Sequence, residues 1–136
     1  MDLTNLLIDD KELDEQLLGE TLSSYVRIAK DSGKIRFTSE INKLPNRGLI
    51  LMYLLGKKAA SVLKIDSIHE ETSPIELETE LGMSGGSLRP TLLRLLNEGM
   101  IERSEGKYRV PNYKISEIGT QFNPTQGDMS GEDIPF

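Results

Sequence analysis

The stretch from Ser73 to Val110, SPIELETELGMSGGSLRPTLLRLLNEGMIERSEGKYRV, limits the possible folds more than any other part of this chain. Ser73, Pro74 and Glu76 spell a helix start. The serine caps, the proline takes the first helical position where its missing N–H costs nothing, and the glutamate stands third for a reciprocal capping bond. Ile75, Leu77 and Leu81 supply an apolar face, and Gly82 can stop the helix. A short turn through Met83 leads to a second helix, with Leu88, Leu92, Leu95 and Leu96 on its buried face and Gly99 to close it. Pro90 is comfortable only in a first turn, which predicts that regular helix begins at Gly86 or Ser87 and leaves Ser84-Gly85-Gly86 as an open lead-in. Beyond Gly99, residues 101–103 and 107–110 read as two short strands around Ser104-Glu105-Gly106.

Upstream lies the most apolar segment, LPNRGLILMYLLGKKAASVLKI, which reads as a central buried helix capped by Asn46 after Pro45. Gly56-Lys57-Lys58 within it lacks the glycine spacing and the following Ser/Thr of a phosphate-binding loop, and both lysines are expected on the outer face. Nearer the N-terminus, Leu13, Leu17, Leu18 and Leu22 fall at helical spacing with Asp9 or Asp10 placed to cap. Residues 25–29 and 35–38 are then rich in β-branched and aromatic types, separated by KDSGK, which predicts a β-hairpin. A single helix running to Gly33 fits the same apolar spacing. The N-terminal leucines either pack on their own domain or pair two chains in a homodimer. The fold class expected is α+β.

Helix, tight turn, helix and hairpin is the order of a winged helix-turn-helix, and LGMSGGSLRPTLLRLLNEGMIERSEGKYRV resembles that superfamily. The small-residue turn, the Leu-x-x-Leu pattern, and Glu98-Gly99-Met100-Ile101 leading into the wing carry the resemblance, which covers residues 44–113. The chain then divides into an N-terminal helix and β-hairpin extension (1–43), a winged-helix domain (44–118) and a tail (119–136). The resemblance implies DNA binding through the N-terminal half of the second helix, at Ser84, Gly85, Gly86, Ser87, Arg89 and Arg94. Glycines there let backbone N–H groups approach a phosphate, and Arg89 suits a phosphate or a guanine edge. In the wing, Arg103, Lys107 and Arg109 alternate with Tyr108, and Tyr108 and Tyr113 are candidates to stack on an unpaired base. Tyr108 also reads as a core residue of the hairpin, and Arg94 as part of a solvated face. Winged helices serve as protein-docking modules too.

From Gly119 onward the sequence GTQFNPTQGDMSGEDIPF loses periodicity and predicts a disordered acidic tail. Its last residues, Glu132-Asp133-Ile134-Pro135-Phe136, resemble the acidic C-terminal tip of bacterial single-stranded-DNA-binding proteins. In that family the tip docks onto exonucleases, helicases, recombination mediators and primosome proteins. The resemblance implies that Phe136 fills an apolar pocket while its α-carboxylate meets an arginine or lysine. Pro135 limits the entropy lost, and Asp133 and Glu132 meet a basic rim. The acidic run is shorter than in that family, with Ser130 and Gly131 where further acids often stand. The rest of the chain lacks the five-strand series of that family's fold.

A net charge of −6 argues against a protein that coats nucleic acid indiscriminately, but the charge is uneven. It is −4 over residues 1–34, +5 over 35–64, −6 over 65–82, +2 over 83–118 and −3 beyond. With no cysteine and one histidine, His69, the chain has no disulfide, thiolate nucleophile or multi-histidine metal site. The absence of a Walker loop, a dinucleotide fingerprint or a nucleophile beside a histidine base leads us to expect a non-enzyme without cofactor or metal. No apolar stretch is long enough to cross a bilayer, and the acidic start is not a leader, so a soluble cytoplasmic protein is expected. The reading these features support is a protein on single-stranded or replication-associated DNA that recruits repair, replication and recombination proteins through its tail. The alternatives are a regulator on duplex DNA, and an adaptor or decoy without DNA affinity.

Overall fold

A computed structural model describes residues 2–9, 12–65 and 68–122. The expected tail beyond Phe122, with Glu132–Phe136 at its end, lies outside the described residues. Among the described residues, five α-helices and two antiparallel hairpins make a mixed helix-and-sheet body, in line with the α+β expectation.

Helix α1, Glu15–Leu22, is capped by Asp14, which accepts from the Leu17 N–H at 3.0 Å. The cap is therefore neither Asp9 nor Asp10. A 3-10 turn, Leu3–Leu6, with its own cap Asp2, comes first. Leu18 and Leu22 are buried in their own chain, so these two leucines have an intramolecular role. Strands β1, Val26–Ile28, and β2, Ile35–Phe37, pair with Val26 opposite Phe37 and Ile28 opposite Ile35. The hairpin wins over a continuous helix at Gly33. Its φ is +76°, and a Cβ there would stand 2.6 Å from Ile68 Cγ1, so the turn needs glycine.

Helix α2, Asn46–Val62, is the centre of the core: Ile50, Leu51, Met52, Leu54 and Leu55 are almost wholly buried. Pro45 stands at the cap position and Asn46 is already helical, so the helix starts one residue earlier than expected. Lys57 and Lys58 are not on an outer face. They are 7% and 3% exposed, with their ammonium groups turned onto Glu76 and Glu70 of the segments packed beside α2.

Helix α3, Pro74–Leu81, starts as its sequence predicts, with Ser73 Oγ accepting from the Glu76 N–H at 3.2 Å. Gly82 ends it in the left-handed conformation, φ +64°. Leu77 is buried and Leu81 half-buried, but Ile75 is 67% exposed. Two residues of helix turn Ile75 about 200° away from Leu77, whereas Leu81 stays on Leu77's stripe. Helix α4, Gly85–Asn97, begins one residue before the predicted point, with Ser84 as its cap, and it carries Pro90 in its second turn. Leu88, Leu92 and Leu95 are buried, and Gly99 closes the helix with φ +75°.

Strands β3, Glu102–Ser104, and β4, Lys107–Arg109, flank a two-residue turn at Glu105-Gly106. Both turn residues have positive φ, 52° and 78°, the signature of the tight turn that matches strand twist. Thr72 adds a one-residue bridge on the other edge of β4, exchanging N–H···O bonds with Tyr108 at 2.9 and 2.8 Å. Helix α5, Ile115–Phe122, corrects the sequence-based start of the tail: Gly119 to Phe122 are helical. Ile115 and Ile118 are buried, and Gly119 lies so close to α1 that a Cβ would stand 2.9 Å from Thr21 Oγ1. The Tyr25 hydroxyl donates to the Phe122 carbonyl at 2.6 Å, fixing the end of α5 beside the start of β1.

Candidate nucleic-acid interface

The start of α4 is built from small residues for a local reason. Ser84 Oγ accepts from the Ser87 N–H at 3.2 Å, and Ser84 and Ser87 are both exposed. Gly85 and Gly86 keep N–H groups that no helical carbonyl can take. Gly86 is open, with nothing nearer than 3.9 Å to the place of a Cβ, while a Cβ on Gly85 would stand 3.2 Å from Glu78 Oε2. Pro90 has no N–H to give the Gly86 carbonyl.

At 100° per residue, the outward midline of α4 runs through Gly86, Pro90, Leu93 and Asn97, opposite buried Leu88, Leu92 and Leu95. Arg89 and Arg94 lie on its two flanks, about 140° apart. Both are exposed. Arg89 Nη2 is 4.0 Å from Glu78 Oε2, and with 69% of the arginine side chain in solvent this pair is weak. Leu93 is 59% exposed between the two arginines. The outward face of α4 is thus uncharged along its centre and positive along its sides.

In the second hairpin the strand alternation sorts the candidates. Lys107 and Arg109 point outward, and Tyr108 between them points inward at 8% exposure. Tyr108 is therefore not available to stack on a base. Its cross-strand partner Arg103 lies over the ring, guanidinium carbon 6.0 Å from the centroid, and is itself exposed. Arg109 is exposed but occupied: its Nε bonds Glu102 at 2.7 Å and an Nη lies 3.6 Å from Glu71. The hydrogen bond to Glu102 raises its pKa further. Arg103 and Lys107 are the cations of this hairpin without a carboxylate within 4 Å among the described residues. Tyr113 is half exposed on a cleft of about 430 Å³ that it shares with Lys58, Glu70, Glu102, Arg109 and Asn112.

The two lysines of α2 are what composition could not reveal. Lys57 donates to Glu76 Oε2, which also accepts from the Tyr53 hydroxyl at 2.7 Å. Lys58 donates to Glu70 Oε2 and to Asn112 Oδ1, each at 2.6 Å. The Glu76 carboxylate thus crosses to α2 instead of returning to the Ser73 N–H as a capping box would. Burial, and then the Glu76 bond, holds the Tyr53 hydroxyl protonated far above the usual tyrosine range. These bonds tie α2 to α3 and to the segments on either side of the second hairpin. The Lys58 bonds hold the flanks of the second hairpin on α2, and Lys58 and Glu70 also line the cleft beside Tyr113.

Among the described residues no group of histidines and carboxylates has a metal-binding arrangement, and no helix is long and apolar enough to cross a membrane. Comparison with protein-family models, with curated proteins and with solved structures returns no match.

Proposed function

We propose that this chain is a winged-helix DNA-binding protein that grips phosphates rather than reading bases. In this reading Glu132–Phe136 serves as a docking peptide for proteins that recognise the tips of bacterial single-stranded-DNA-binding proteins. The order helix, bridge residue Thr72, helix, helix and two-stranded hairpin supports the winged-helix assignment. The observation that carries the function is the outward face of α4, whose uncharged midline is flanked by exposed Arg89 and Arg94 and begins in the unpaired N–H groups of Gly85 and Gly86.

The side chains along that midline, those of Pro90, Leu93 and Asn97, offer one amide for base readout, so sequence preference is weak in this reading. Single-stranded or replication-associated DNA is the substrate proposed, held through Arg89, Arg94, Arg103 and Lys107, with Tyr113 as the exposed aromatic ring. One observation favours a duplex-binding regulator as the second reading: burial of Tyr108 withdraws one of the two candidate stacking rings.

Fluorescence anisotropy of the full chain on single-stranded and duplex DNA of equal length, across a salt series, tests the proposal. Tighter, salt-sensitive binding to the single strand supports it, and duplex preference selects the second reading. No binding to either strand form sinks both, leaving an adaptor that works through its tip. That arm is checked separately with a peptide of residues 123–136 and its Phe136→Ala variant on an exonuclease or helicase that binds such tips.

A further inference from the structure

We infer that the first hairpin, β1–β2, is a second phosphate-gripping surface, an interface that the winged-helix reading does not include but on which it rests. Arg27 and Arg36 are direct cross-strand partners and both are exposed. Two like charges facing each other destabilise a strand pair unless an anion lies between them. Extending the register by one pair sets Lys34 opposite Ala29, joined by the Ala29 N–H to Lys34 carbonyl bond at 2.9 Å. The period of two then puts Lys34 on the same outer face as Arg27 and Arg36. Lys30 is exposed in the adjoining turn. From Arg27 to Arg36 the chain holds four cations and one acid, Asp31, in a protein of net charge −6.

What separates these cations from most others is that their charge is left unused. Lys43, Arg47, Lys57, Lys58, Arg109 and Lys114 each have a carboxylate within 3.2 Å. Among the described residues, none lies within 4 Å of Lys30, Lys34 or Arg36, and Arg27 donates only to the carbonyls of Ser23 and Val26. The surface is also held in place. Gly33 packs against Ile65 and Ile68, which fixes the turn and brings exposed Lys64, next to Ile65, to the same end of α2.

Phosphodiester groups are the occupant this surface fits. Arginine forks and lysines match phosphate oxygens, and a two-stranded ribbon has a width that nucleic-acid grooves accept. A lipid surface fits poorly, because apart from Leu63 beside Lys64 the large exposed apolar side chains among the described residues lie elsewhere, at Leu3, Leu6, Leu7, Ile8, Ile75 and Leu93. Helix α3 stands between the two basic surfaces: Glu76 and Glu80 line a cleft with residues 32–35, while Glu78 lies beside Gly85 and Arg89. A strand that met both would cross α3, where Glu76 is already paired with Lys57 while Glu78 has only its weak contact with Arg89.

The test compares three full-length proteins by anisotropy on DNA between 50 and about 200 mM salt, the range over which phosphate contacts are best counted. They are the wild type, Lys30→Gln/Lys34→Gln/Arg36→Gln, and Arg89→Gln/Arg103→Gln/Lys107→Gln. Three lost contacts at ~0.7–0.9 each should lower the log–log salt slope of the hairpin variant by about 2 and weaken binding at least tenfold at low salt. Its melting temperature should stay level or rise by about 1–3 °C as the Arg27–Arg36 repulsion goes. Lys30→Arg/Lys34→Arg should keep the wild-type slope. A folded hairpin variant with wild-type slope and affinity overturns the inference and leaves the α4 reading standing. If the hairpin variant loses binding while the α4 variant does not, the inference holds and the α4 reading fails. No wild-type binding overturns both. Hairpin-dependent binding to phosphatidylserine vesicles without binding to DNA also overturns the inference.

Discussion

The two hairpins are nearly the same object. Each is a pair of three-residue antiparallel strands, anchored on its inner side by apolar residues: Val26 and Ile35 in one, Tyr108 and neighbouring Val110 in the other. They differ in the outward cross-strand pair. In the first hairpin Arg27 faces Arg36. In the second, Glu102 faces Arg109 and binds it at 2.7 Å. Opposite charges across a strand pair stabilise it and like charges do the reverse, so stability alone explains only the second arrangement. The first keeps its cations free, a cost that makes sense when an outside anion completes the surface.

The largest effect tests whether the second hairpin owes its position to the buried lysine beneath it. Glu70→Ala leaves Lys58, whose side chain is 4% exposed, with Asn112 as its remaining partner, and should cost about 3 kcal/mol in urea denaturation. Next comes an alkaline test on the side of the first hairpin, where the Phe37 and Tyr53 rings meet at 6.5 Å. The folded pKa of Tyr53 is raised, so in the unfolded chain this tyrosine ionises first, near ~10. Above that pH the unfolded state binds fewer protons and stability falls. Below it the contribution is fully present. Urea melts at pH 9 and at about pH 11 should show this loss in the wild type and less of it in Tyr53→Phe.

The smallest effects are the sharpest for the comparison. Arg36→Glu makes the first hairpin resemble the second and should raise stability by about 0.5 kcal/mol while weakening DNA binding. Glu102→Lys makes the second resemble the first and should lower stability by about 0.5–1 kcal/mol while strengthening DNA binding. If both changes move stability in the same direction, the outward pairs do not distinguish the hairpins.

Much of this body was legible because the signals were local. Ser73 caps, Gly82 and Gly99 stop helices, and Glu105-Gly106 turns the second hairpin, each through its own backbone. The misses were long-range. Lys57 and Lys58 read as surface residues because Glu76, Glu70 and Asn112, which neutralise and bond them, lie 19, 12 and 54 positions away. Helix α5 hid because Gly119 interrupts its spacing, and that glycine is explained only by α1 packed against it. Tyr108 was readable either way, and alternation between outward Lys107 and Arg109 decides it. The basic hairpin escaped notice because charge summed in blocks divides it: Arg27, Lys30 and Lys34 fall in an acidic block and Arg36 in a basic one.

The contact of Gly119 with Thr21, together with the Tyr25 to Phe122 bond, makes the first and last helices neighbours. The end of α5 is therefore held where α1 gives way to β1, so the last helix closes back on the first part of the folded body. The same geometry means that tension applied through the tail would reach Tyr25 and β1 before it reached α4.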